Sequence, residues 1–177
     1  MAIKIYRIEA GDFNLMRKYI VGDLRCHPAK NKRRLIYEWA KREFLNMSRV
    51  SEFGFCPEPV AFQKNVLVMG LVTYEDGPAP KLKDAVIEDA GCCFNKVVEC
   101  IRCMYSKGLV HGDLSEYNIL VSDEDKPVLI DFSMGALVED PIAQELLHRD
   151  IRNVTKYFRK FGVDANENDV LGAVTGG

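Results

Sequence analysis

Asp113 and Asn118 lie within HGDLSEYNI (His111–Ile119), at the interval by which catalytic loops set a base beside a metal ligand. A second carboxylate, Asp131 in VLIDFS, follows the apolar run Pro127–Ile130 and so ends an expected buried strand. Few, hard oxygen ligands suit magnesium, which keeps waters and shares phosphate oxygens. Two carboxylates and a carboxamide converging from two strand ends make a magnesium site facing a phosphate. That chemistry is phosphoryl transfer, in which positioning and charge neutralisation do nearly all the catalysis. Asp113 is the candidate base, accepting a proton from a hydroxyl or water. Asn118 and Asp131 are the candidate metal ligands. Lys4 can supply a cation to the phosphates, and Glu43 can aim it. The plain alternative is two polar turns closing buried strands, for which Gly, Asp and Asn are ordinary. The order and spacing of both segments weigh against it. His111 braces the loop. Ser115 and Glu116 belong either at the phosphate or substrate or in a turn, and both readings stay open.

These residues need elements to hold them. Ala2–Tyr6 alternates and is rich in strand formers, with Lys4 pointing opposite to Ile3 and Ile5. Residues 11–34 are mixed and end in the basic cluster Lys30–Arg34. A helix is expected from Leu35 to Val50, where Ile36, Trp39, Ala40, Phe44 and Met47 recur at helical steps. Val60–Thr73 holds two apolar runs split by Gln63–Asn65, an expected hairpin. Gly77–Pro80 is the break, giving two parts, 1–76 and 77–177. A long helix is expected over Asp84–Lys107, ended by Gly108. Short strands follow at Asn118–Val121 and Val128–Phe132, with a turn over Ser122–Lys126. Asp140-Pro141 opens a further helix to about Phe161. The Gly- and Asn-rich remainder is expected to fray. The fold class is α+β and two-lobed, with the polar loops in the crevice.

Composition sets limits. The net charge is −2, so there is no global basic field for nucleic acid, and 47% apolar residues can build a core. No apolar run reaches the length of a membrane span. Lys4, Arg7 and Glu9 break any signal-peptide core, so the six cysteines are read as reduced cytoplasmic thiols. Cys100 and Cys103 have the spacing of zinc ligands. Their place near the apolar face of a helix, with Cys93, favours core packing.

AIK, HGDLSEYN and IDFS follow the protein-kinase order of lysine strand, catalytic loop and metal-binding strand. IKIYR, KNKRRLIYEWAKREF, VLVMG, HGDLSEYNIL, LIDFSMG and RDIRNVTKYF resemble the RIO-type atypical serine/threonine kinases, RIO-one subfamily, over about residues 1–163. The resemblance implies a protein-kinase-like fold with a truncated N-lobe sheet and a small helical C-lobe. It implies ATP and Mg2+ as cofactors. Lys4 falls on the α- and β-phosphates with Glu43 as its helix partner, and Asp113 is the catalytic aspartate. Asn118 and Asp131 hold the metal. Met69 stands near the gatekeeper, with Met69, Gly70, Leu71 and Val72 as the adenine hinge. The resemblance further implies a phosphoaspartate at Asp131 and a role in maturation of the small ribosomal subunit. Pre-ribosomal rRNA and proteins would then be partners. The 30–34 cluster would face rRNA phosphates or stand as an exposed charged loop.

The departures carry expectations too. Gly112 stands where ordinary kinases have Arg, no APE follows Asp131, and Gly70 replaces a subfamily glutamate. No G-x-G-x-x-G or Walker A pattern occurs. The expectation is a fragment or shortened form with weak nucleotide affinity. A second reading is a catalytically weak or silent module docking on pre-ribosomal particles. A third, an aminoglycoside-type phosphotransferase, shares the HGD but lacks room for a substrate-binding insert.

Overall fold

The computed structural model describes residues 1–7, 13–27, 29, 31–123 and 126–176. Gly11, Pro28 and Lys30, and residues 124 and 125 of the expected turn, lie outside them.

β1 (Ala2–Ile5), β2 (Pro59–Gln63) and β3 (Val66–Met69) form an antiparallel sheet in the order β1-β3-β2. The β2–β3 hairpin turns at Lys64, whose φ is 55°. Register sets Lys4 opposite Leu67 and Ile3 opposite Val68. Strand alternation therefore aims Lys4 at the core side, while Ile3 and Ile5 face outward, 65% and 60% exposed. α2 (Lys32–Val50) packs under this sheet, with Phe44 against Phe62 at 5.0 Å between ring centroids. Its buried Ile36, Trp39, Ala40 and Met47 belong to the helical stripe read from the sequence.

In the second half, α3 (Ala90–Ser106), α4 (Ala143–Arg159) and α5 (Glu167–Thr175) pack together, α5 against both α3 and α4. Two small antiparallel pairs carry the polar loops. β6 (Leu109–Val110) joins β9 (Ala136–Leu137), and β7 (Ile119–Ser122) joins β8 (Lys126–Leu129). The loop with Asp113 lies between β6 and β7, and Asp131 follows β8. The fold is mixed α and β, with small antiparallel sheets and five helices among the described residues.

Several expectations shift. The 11–34 region holds a helix, α1 (Phe13–Gly22), on the short buried stripe Met16, Tyr19, Ile20. α2 begins at Lys32, because the Asn31 side chain accepts from the Arg33 N–H. The basic residues 32–34 are thus its first turn rather than a loop. Gly77–Pro78 is β5 of a hairpin with β4 (Thr73–Tyr74), so the expected break is a paired turn. α3 starts only at Ala90, where Asp89 caps the Cys92 N–H. β8 ends at Leu129 rather than Phe132, because Asp131 turns the chain out of the strand. Pro141 precedes α4 instead of opening it. The tail does not fray: Val170 and Val174, one turn apart, dock α5 into the core.

Cys93 and Cys100 are buried as expected, whereas Cys92 is exposed and Cys103 half-buried. No helix among the described residues is long and apolar enough to cross a membrane.

Candidate active site

β1 and α2 bring the first pair together. Lys4 Nζ lies 2.9 Å from both carboxylate oxygens of Glu43, which is 1% exposed, and 3.0 Å from Asp131 Oδ1. Burial works against the Lys4 ammonium, but Glu43 and Asp131 outweigh it and raise its pKa. Burial pushes the Glu43 carboxyl up to about 7; Lys4 pulls it back and Asp131 adds to the rise. The Lys4 ammonium thus bridges an ionised Asp131 and a Glu43 carboxyl whose titration burial has moved to near neutral pH.

Asp131 sits in the left-handed region, at φ 64° and ψ 64°. A non-glycine residue held there costs on the order of 1–3 kcal/mol and persists only when its surroundings over-determine it. Ser133 Oγ donates to Asp131 Oδ1 at 2.7 Å. Burial alone would raise this carboxyl; Lys4 and Ser133 reverse that, and its pKa is lowered. Asp131 is therefore anionic, with Oδ2 left for a cation.

The catalytic loop is tied to the same point. His111 is fully buried and its Nε2 lies 3.1 Å from the Ile130 carbonyl, next to Asp131. Its Nδ1 faces the Asp113 N–H at 3.4 Å, which fixes the proton on Nε2. Burial drops the imidazole pKa to about 4, so it is a neutral brace, as the sequence implied. Asn118 Nδ2 donates to Asp113 O at 2.8 Å and to Asp113 Oδ2 at 3.0 Å. The amide is thereby oriented and Asn118 Oδ1 is left for a ligand. Burial raises the Asp113 pKa, with Asn118 opposing and Asp131 adding, the direction a general base needs.

What holds this loop went unnoticed in the sequence. Asp150 on α4 is 1% exposed and accepts from the Gly112 N–H at 2.7 Å and the Leu114 N–H at 2.8 Å. Asn153 donates to Leu114 O at 3.1 Å, and Arg149 donates to Gly112 O. Burial pushes Asp150 up to about 7 despite its two amide donors. A signal was present: Asp150 occupies a position of the α4 apolar stripe, between Leu147 and Val154, where a charge has no place without a partner.

One cleft of about 300 Å3 gathers Lys4, Glu43, Asn118 and Asp131 with Met69, Gly70, Leu71 and Val72. Ala2, Leu120 and Ile130 add apolar walls, and Lys81, another residue the sequence reading missed, adds a second cation. Gly70 N–H is committed to Glu58 O at 2.8 Å, whereas the Leu71 N–H takes no backbone partner among the described residues. Ser115 and Glu116 do not line the cleft. Ser115 O accepts the Asn118 N–H, and the Glu116 carboxylate lies 3.9 Å from Lys160. Ser115 thus closes the turn ahead of Asn118. A larger cleft of about 750 Å3, between Phe53, Phe55 and α3, contains none of the motif residues.

The donor set fits magnesium brought by a nucleotide. No group of three or more His, Cys, Asp or Glu residues among the described residues could hold a metal unaided. Asn118 and Asp131 would supply two oxygens to such an ion, with phosphate and water supplying the rest.

Sheet, α2, hinge and the two polar loops together make a cleft of the protein-kinase-like class. The RIO domain matches residues 1–171. The chain is 46% identical over 177 residues to the RIO-type serine/threonine-protein kinase Rio1 of Methanocaldococcus jannaschii, covering 99% of this chain and 61% of that protein. It is 34% identical to Rio1 of Thermoplasma acidophilum, over 96% of this chain and 90% of that protein. Against serine/threonine-protein kinase RIO1 of Saccharomyces cerevisiae it is 37% identical, over 92% and 35%. The chain belongs to the RIO family of serine/threonine-protein kinases. It spans 61% of the length of its Methanocaldococcus and Haloferax relatives.

Proposed function

We propose that this chain binds ATP with Mg2+ and transfers its terminal phosphoryl group, as a RIO-type serine/threonine kinase or ATPase. The observation that carries this reading is the convergence of Lys4, Glu43, Asn118 and Asp131 on one cleft, with Asp113 bonded to Asn118. Adenine lies between Ala2, Leu120 and Ile130, with the Leu71 N–H as hinge donor. Lys4 leaves Asp131 for the phosphates while Glu43 keeps it aimed. Bound Mg2+ would neutralise charge developing on the phosphate oxygens. Asp113 accepts the proton of the attacking hydroxyl or water.

In the ATPase variant, Asp131 Oδ2 attacks the γ-phosphorus, the bond to the ADP oxygen breaks, and water later cleaves the aspartyl phosphate. The lowered Asp131 pKa supports a nucleophile that is already ionised. The same reading includes a cytoplasmic setting, a boundary near residues 76 and 77 with the cleft between two lobes, and small-subunit precursors as partners. Lys32, Arg33 and Arg34 are the exposed residues available to rRNA phosphates.

The test is calorimetric titration of ATP with Mg2+, paired with phosphate release, on the wild-type chain, Asp131→Asn and Asp113→Ala. Asp131→Asn is expected to lose Mg2+-dependent binding. Asp113→Ala is expected to bind ATP and lose turnover. Magnesium-dependent binding undiminished in Asp131→Asn would sink the metal assignment. Binding without turnover in the wild type would leave a silent binding module.

A further inference from the structure

The turn after α1 is wired to the metal loop through α2. Asp23 Oδ1 accepts from Arg25 N–H at 3.0 Å and Nε at 2.8 Å. Its Oδ2 accepts from Arg25 Nη2 at 2.6 Å and Arg42 Nε at 3.0 Å. Arg42, 1% exposed, spends Nη1 on the Ser133 carbonyl at 2.8 Å. Arg25 Nη2 also donates to Asn46 Oδ1 at 2.8 Å, and Asn46 Nδ2 donates to Phe132 O at 2.8 Å and Gly135 O at 3.0 Å. Two α2 side chains thus grip three carbonyls of the turn that follows Asp131. Both are in turn set by residues 23 and 25, far away in sequence.

Such a network is a poor way to gain stability. A buried guanidinium and carboxylate lose their hydration, and a hydrophobic replacement is often as good. What the network supplies is orientation, at a non-glycine residue, Asp131, that is held in left-handed backbone. Burial would raise the Asp23 carboxyl, but Arg25 and Arg42 hold it at about 2, so the pair stays charged at working pH.

We propose that Arg42 and Asn46, set by Asp23 and Arg25, are positioning residues for Asp131. They fix the 132–135 turn so that Asp131 keeps its free oxygen toward a nucleotide-borne cation. The inference rests on the reading of Asp131 as a metal ligand.

The test titrates Mg2+ into the chain with a fluorescent ATP analogue and reads the half-saturating Mg2+ concentration, beside analogue affinity without metal and the thermal melt. Arg42→Lys keeps a cation for Asp23 but lacks the fork that reaches Ser133 O at the same time. Asn46→Ser removes both carbonyl contacts. Each is expected to raise half-saturating Mg2+ about five- to tenfold, the worth of one or two hydrogen bonds. Metal-free affinity should not change.

An unchanged half-saturation in a folded variant overturns the proposal. So does an equal loss with and without metal, which is the mark of a merely structural role. If Asn46→Ser fails to fold, Arg42→Lys decides. No Mg2+ dependence in the wild type would sink the metal assignment itself, and this inference with it.

Discussion

Gly112 is glycine because the turn that follows Asp131 runs where its side chain would be. Its φ is +78°, and an added Cβ would lie 2.6 Å from Met134 O and 3.2 Å from Leu146 Cδ1. The arginine that ordinary kinases carry here has no room. Gly112→Ala should destabilise the chain by more than about 2 kcal/mol, combining left-handed strain with a backbone collision. Urea unfolding measures it, and a loss under about 0.5 kcal/mol would contradict the packing described. Asp150 makes a pH prediction. As a carboxylate it accepts both loop amides; protonated, one oxygen meets an N–H with a proton of its own. From near 4, its ordinary value, to about 7, the folded chain holds a proton that the unfolded chain has released. This group's contribution to stability therefore falls as pH rises through that window, while loop order improves. Melting temperatures from pH 5 to 8 should show Asp150→Asn losing that part of the dependence. Identical slopes would refute it. The motif residues were legible because loop chemistry is local in sequence. Asp150 was not, because its partners are 36 and 38 residues away.

The elements divide the same way. α2 and the β2–β3 hairpin could be read directly, since each carries a long period or a clear turn. α1 and α5 could not, because one turn of apolar residues carries little pattern until a neighbour covers it. Their boundaries turned on caps: Asn31 for α2, Asp89 for α3 and Asn166 for α5, each bonding a backbone N–H of the first turn. α5 offers the sharper test, as Val170 and Val174 are only 6% and 4% exposed. Val170→Ala and Val174→Ala should each cost about 1–3 kcal/mol by removing buried methyl groups. A frayed tail would give nothing measurable in the same denaturation curves.

The whole molecule assembles its cleft from distant pieces. Lys4 reaches across 39 positions to Glu43, and Asn46 across 86 to Phe132. Sequence shows which residues can do chemistry; only the packed chain shows which of them meet. That is why Lys4, Glu43, Asn118 and Asp131 converge on one cleft while Ser115 and Glu116 stand outside its lining. The sheet that carries Lys4 has a further consequence. Among the described strands β1 pairs on one side only, and its outward face is Ile3 and Ile5. Unpaired amides beside two isoleucines form a template on which another chain can lay a strand. Shelf life in solution should then follow second-order growth: light scattering should climb steeply with concentration. Ile3→Lys with Ile5→Thr should slow that growth without weakening ATP binding, since both side chains point away from Lys4. Scattering unchanged by the pair of substitutions would move the sticking point elsewhere on the surface.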